Sequence, residues 1–154
     1  TKTGAEFIAA KLDAELIELV ETEERGGITG FLKSGYQAAS KKKSELKGEP
    51  WKQIERHTKL YLLTPIWAGN GTPAMSAFLD KADFTGKEVI VATFQYDQKG
   101  SGSAKVHAYM KEKIESGGGK YLKGIALHGA PPGKFAGMEY IQMQTDKILQ
   151  SQIS

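Results

Sequence analysis

Two aromatic residues and one threonine-rich turn are the places in this sequence best placed to do chemistry. Trp67 lies in Leu62-Leu63-Thr64-Pro65-Ile66-Trp67-Ala68-Gly69-Asn70-Gly71-Thr72-Pro73-Ala74-Met75, where an apolar run passes through a turn into a helix start. Tyr96 follows the next apolar run, in Thr93-Phe94-Gln95-Tyr96-Asp97, and opens a polar loop that continues to Gly102. Open parallel sheets bind flat ligands just past the carboxyl ends of their strands, where loops are free for contact. Two aromatic side chains facing each other across such a gap can sandwich a planar heteroaromatic ring. The third place is Thr1-Lys2-Thr3-Gly4, which offers two hydroxyls, an ammonium group and a glycine at a helix start. The free N–H groups of such a start favour an anion, so the set suits a terminal phosphate. The plainer readings are that Thr3 caps the helix and that each aromatic residue anchors its own loop.

The elements that must position these residues can be read from periodicity. Phe7, Ile8 and Leu12 predict a short helix opened by Thr3-Gly4, and Leu16-Ile17-Glu18-Leu19-Val20 predicts a buried strand. Residues 21–58 are irregular and glycine-punctuated, with a partial helix expected over Phe31 to Ala39. Lys59 to Thr64 is a continuous apolar strand ended by Pro65, of the kind a sheet covered on both faces requires. Pro73 suits a first helical turn, and Met75, Phe78, Leu79 and Ala82 follow at helical spacing. Val89 to Phe94 predicts the next strand, and Ser103 is the expected N-cap of a helix with Val106, Met110 and Ile114 on one face. Gly117-Gly118-Gly119 ends that unit, Tyr121 to Leu127 predicts a strand, and Met138, Ile141, Ile148 and Leu149 a last helix. Strands alternating with helices imply right-handed crossovers and a mostly parallel sheet, so the expected class is α/β in a single domain over 1–154.

Composition narrows the chemistry. Hydrophobic residues make up 40% and charged residues 25%, values that fit a folded domain rather than global disorder. The 21 basic and 18 acidic residues leave a net charge of +3, too small and too scattered to point to nucleic acid. Lys41-Lys42-Lys43 is followed by Glu45 and Glu49 and reads as a solvated stretch. No apolar run approaches the ~20 residues that span a bilayer and no leader is recognisable, so the expectation is a soluble cytoplasmic protein. There is no cysteine, which excludes disulfides, thiolate metal sites and a cysteine nucleophile; any redox chemistry must come from a bound cofactor. His57, His107 and His128 are scattered and form no ligand or triad spacing, though His128, after the last strand, is expected nearest a ligand. Gly69-x-Gly71-x-x-Ala74 formally matches a dinucleotide fingerprint but lacks the acidic residue that should close the following strand. Asp97 could accept a proton beside a reduced ring, and equally fits a turn.

Taken whole, the chain resembles the flavodoxin-like proteins, FMN binders with a five-stranded parallel sheet in the order 2-1-3-4-5. Thr1-Lys2-Thr3-Gly4 is similar to the family's phosphate loop, Thr64-Pro65-Ile66-Trp67-Ala68-Gly69-Asn70 to its first ring-binding loop, and Phe94-Gln95-Tyr96 to its second. The resemblance implies that Thr1, Lys2, Thr3 and Gly4 hold the phosphate and that Trp67 and Tyr96 flank the isoalloxazine. It further implies that Pro65, Ile66, Ala68, Gly69, Asn70, Thr93, Phe94, Gln95 and Gly102 surround the ring. Three departures stand beside it. The strand that should precede Thr1 and lie mid-sheet is not in this sequence, so a trimmed chain, or another segment filling the gap, is expected. Gly4-Ala5-Glu6 puts a carboxylate where the family has a hydroxyl, which weakens a phosphate site. The slightly basic charge argues against the docking mode of acidic electron carriers.

The resulting expectation is an FMN-binding electron carrier serving a redox partner protein or a small acceptor, without nucleic acid or membrane, and with homodimerisation open. The alternatives are an FMN-dependent NAD(P)H:quinone or flavin reductase of the same fold, and a binding module without flavin. The stretch Arg25 to Pro50 could then be a lid, a dimer contact or a cover for the sheet edge.

Overall fold

Three of the foreseen apolar runs build the sheet, and the central one is buried on both of its faces. The computed structural model describes residues 1–22, 45–67, 69–95, 102–129 and 137–150. In chain order these residues form helix α1 (Lys2–Leu12), a short helix α2 (Pro50–Gln53), strand β1 (Lys59–Pro65), helix α3 (Pro73–Lys81), strand β2 (Glu88–Gln95), helix α4 (Ser103–Ser116), strand β3 (Lys120–His128) and helix α5 (Met138–Gln150). The strands are parallel in the order β1-β2-β3, with Leu60 opposite Val89, Val91 opposite Gly124 and Phe94 opposite Leu127. Among the described residues the sheet thus has three strands, where the resemblance implies five.

β2 is the central strand and is buried from Val89 to Phe94, as an apolar run covered on both sides must be. One face packs Leu60, Leu62, Val89 and Val91 against α3 and α4, through Met75, Phe78, Val106, Met110 and Ile114. The other packs Ile90, Ala92, Phe94 and Leu127 against Ile8 of α1 and Ile148 of α5. This is the expected three-layer α/β arrangement. At the amino edge the buried Lys87 donates to the carbonyls of Glu55 and His57, tying the segment after α2 to the start of β2. No helix among the described residues is long and apolar enough to cross a membrane.

Four expectations are corrected. Leu16 to Val20 forms no strand: Ile17 and Leu19 pack on the α3 side of the core, but Leu16 and Val20 are exposed, and the nearest pairing is an isolated antiparallel bridge between Glu21 and Leu46. A strand needs a hydrogen-bonded neighbour, and among the described residues the ladder of β1 is made with β2 alone. Helix α1 starts at Lys2 with Thr1 at the N-cap and no side-chain capping bond, so Thr3 lies inside the first turn. Helix α4 is capped by Gly102, with Ser103 as its first residue. Finally α2, unforeseen, starts with Pro50 in its first turn, the position proline favours. The helix expected over Phe31 to Ala39 lies outside the described residues.

Candidate functional site

The carboxyl edge of the sheet is held together by the ladder running past the strand ends. Ile66 donates its N–H to Phe94 O at 2.9 Å, and Gly129 donates to Gln95 O at 2.8 Å. Beyond Ile66 the chain turns sharply: Trp67 and Asn70 exchange N–H···O bonds of 2.8 and 2.9 Å, with Gly69 at φ +72° inside the turn. That backbone state costs glycine nothing and strains other residues. A Cβ on Gly102 would lie 3.0 Å from Ile66 Cγ2 and 3.4 Å from Gly69 Cα, so the start of α4 presses against this turn. Thr72 fixes where α3 begins, its hydroxyl accepting from Met75 N–H at 3.2 Å.

A cleft of about 1070 Å³ runs along the outer edge of β1, and at its carboxyl end Thr1, Lys2, Pro65, Trp67 and Thr72 share one lining. Four sequence-derived site residues, Thr1, Lys2, Pro65 and Trp67, are therefore brought to one cavity. Lys2 is paired with the Glu18 carboxylate at 3.1 Å, an exposed pair that holds the lysine pKa above its ordinary value. Thr3 is half-buried in the first turn of α1. Gly4 is buried, and a Cβ there would lie 2.8 Å from Phe94 Cζ and 3.0 Å from Thr145 Cγ2. Its missing side chain lets α1 close on β2 and α5, and Phe94 fills that contact.

The end of β2 carries two polar side chains with different fates. Thr93 is fully buried, with its hydroxyl 2.9 Å from His107 Nε2 on α4. Burial pulls the His107 pKa below the ordinary histidine value, which keeps the ring neutral at pH 7. Gln95 ends the strand with a buried Oε1 that has no hydrogen-bond partner among the described residues. A buried acceptor in that state calls for a donor. Ala68 and Tyr96 lie outside the described residues, as does Asp97.

Some neighbours were not foreseen. His128 Nδ1 is 2.5 Å from the Tyr140 hydroxyl, with the two rings edge to face, and its backbone N–H donates to Gln144 Oε1 at 3.3 Å. The sequence put His128 just after the last strand, whereas it is the final residue of β3, and its partners come from α5, 12 and 16 residues away. Thr72 was legible in principle, as a threonine directly before a helix-initiating proline. Among the described residues no group of three or more His, Asp or Glu side chains could hold a metal ion.

The set fits a flavin phosphate at several points. Trp67 lines the cleft as an apolar plate, and Thr1 and Lys2, at the start of α1, share that lining. The cation of Lys2 is already balanced by Glu18, so an incoming phosphate would have to compete for it.

No protein-family model matches the chain, and no curated protein matches it significantly. Among solved structures it is similar to a "Putative flavoprotein" from Bacteroides uniformis, with TM-score 0.70 and 19% identity over 93% of this chain and 88% of that one. It is also similar to a second protein so named, from Bacteroides eggerthii, with TM-score 0.64 and 13% identity over 97% and 90% of the two chains. A third is general stress protein 14 from Treponema denticola, solved in complex with FMN, with TM-score 0.53 and 14% identity over 97% and 87%. At these identities the likeness is one of fold: the chain shares the α/β architecture of these proteins.

Proposed function

We propose that this chain is a flavodoxin-like protein that binds FMN noncovalently and carries electrons to or from a redox partner protein or a small acceptor. The observation that carries this reading is the cleft along the outer edge of β1, whose lining joins Thr1, Lys2, Pro65 and Trp67 at its carboxyl end. The FMN named for general stress protein 14, and the flavoprotein names of the two Bacteroides proteins, support the same ligand for this fold.

In this reading the amides and hydroxyls of Thr1 to Gly4 bind the phosphate at the start of α1. Gly4 serves by letting the helix seat against Phe94. Trp67 stacks on one face of the ring and Tyr96 on the other, with the backbone from Pro65 to Asn70 and from Thr93 to Tyr96 along its polar edge. Gln95 orients that edge through its free acceptor, and Gly102 keeps α4 close enough to hold the Trp67 turn. Bound FMN supplies one- and two-electron redox chemistry; the protein binds, orients and shields it.

The visible spectrum of the purified protein, before and after acid release of the chromophore, tests the ligand. Stopped-flow mixing with NADPH tests the role. Reduction only through an added electron-transfer protein supports a carrier, whereas rapid bleaching by NADPH alone makes the chain a reductase. A colourless protein that takes up no FMN overturns the reading.

A further inference from the structure

On the α3 side of strand β1 stand Leu60, Leu62 and Thr64, so the row that enters the core ends on a hydroxyl. Thr64 is 1% exposed, out of reach of water. Valine has the same shape without a polar atom, and an unbonded buried hydroxyl costs free energy, so packing alone would favour valine there. The hydroxyl has a definite use. It donates to Pro65 O at 3.1 Å, while the next amide along the chain, that of Ile66, donates to Phe94 O at 2.9 Å. The planar peptide unit joining Pro65 to Ile66 is thus held at both ends, by the side chain of Thr64 and by β2, and it cannot rotate without losing one of the two bonds.

Trp67 follows that fixed unit by one residue, and its N–H is itself taken by Asn70 O at 2.8 Å. Between the two bonded peptides only the backbone torsions of Ile66 remain, and Ile66 is pressed from the side by Gly102. The far end of the loop is fixed as well. Thr72, 9% exposed, accepts from Met75 N–H at 3.2 Å and stands 3.5 Å from the Thr64 hydroxyl. At that separation the two hydroxyls couple weakly, so each secures its own end of the loop. We propose that Thr64 is a positioning residue of the candidate site: its hydroxyl locks the root of the Trp67 turn, so that the indole is set before a flavin arrives. Ordering a side chain during binding weakens affinity, and a preset plate avoids that loss. The purpose of the lock rests on the flavin reading, whereas the order it imposes is measurable without ligand.

The test compares Thr64→Val, which keeps the shape, with Thr64→Ser, which keeps the hydroxyl, each in a Trp51→Phe background where Trp67 is the one tryptophan left. Time-resolved fluorescence anisotropy of the ligand-free proteins reads the motion of the indole. Thr64→Val should enlarge the fast component of the decay, and Thr64→Ser should match the background protein. In FMN titrations Thr64→Val should bind about 2- to 12-fold more weakly, the ordinary worth of one hydrogen bond, and Thr64→Ser should restore the affinity. If Thr64→Val does not fold, Thr64→Ala carries the hydroxyl-free arm. Equal anisotropy in all the proteins overturns the proposal, whatever happens to the urea midpoint, because a residue that only fills the core lowers stability without loosening the indole. Loosening by Thr64→Ser as large as by Thr64→Val overturns it too, since packing would then order the turn, and so does a loosened indole that binds FMN as tightly as before. FMN binding absent from every protein, the background included, defeats the flavin reading, while the anisotropy still decides whether Thr64 orders the turn.

Discussion

Gly4 separates two accounts of the same residue, one in which it admits a phosphate and one in which it admits a phenyl ring. An alanine Cβ would lie 2.8 Å from Phe94 Cζ and 3.0 Å from Thr145 Cγ2, well inside the ~3.5–4.0 Å of ordinary carbon contact. Neither neighbour can retreat easily: Phe94 is 7% exposed and Thr145 fully buried, its hydroxyl donating to Ile141 O at 2.9 Å. Overpacking of this kind costs about 1–3 kcal/mol, and better helix propensity returns less than about 1 kcal/mol near a helix start. Gly4→Ala should therefore destabilise the ligand-free protein by about 1–2 kcal/mol, read as a lower urea midpoint at unchanged slope. In a Phe94→Leu background, where the ring is gone, the same change should cost clearly less. A Gly4→Ala protein as stable as wild type without ligand, or a cost unchanged by Phe94→Leu, would refute the packing argument.

Three further outcomes are expected. Trp67→Ala should weaken FMN about 2- to 12-fold, the equivalent of ~0.5–1.5 kcal/mol for an aromatic pair, as measured by titration calorimetry; an unchanged dissociation constant removes Trp67 from the site. Thr3→Val keeps the shape and deletes the hydroxyl, so it should weaken FMN but leave riboflavin nearly unaffected, whereas equal losses would give Thr3 a purely structural role. Because burial lowers the His107 pKa, the unfolded chain binds more protons than the folded one once pH falls through about 6.5. Stability should decline over that window, and His107→Gln, which can still bond Thr93, should flatten it; an unaltered urea-midpoint profile between pH 7.5 and 5.5 would count against this.

The legible parts of the fold were those whose signal is local. Lys59 to Thr64, Val89 to Phe94 and Tyr121 to Leu127 read as strands because apolar runs bounded by turns demand burial, and the observed strands extend them by a residue or so at the ends. The helix at Pro73 was clear because proline and the Met75-Phe78-Leu79 stripe agree. Leu16 to Val20 misled for the opposite reason: its residues suit a buried strand, but a strand is a property of a pair, and the described residues give it no partner strand. At the site, the clustering of Thr1, Lys2, Pro65 and Trp67 followed from placing strand ends together. The packing role of Gly4 and the Thr93–His107 contact depend on which side chains face one another across layers, and spacing does not encode that.

The central claim is a flavin seated against Trp67 at the carboxyl edge of the sheet. Fluorescence titration of FMN with this protein tests it most directly, because an indole stacked on the isoalloxazine quenches its emission. Saturable quenching at one FMN per chain, diminished in Trp67→Ala and retained in Trp51→Phe, is the predicted result. Emission that stays at the free-flavin level through excess protein would contradict it.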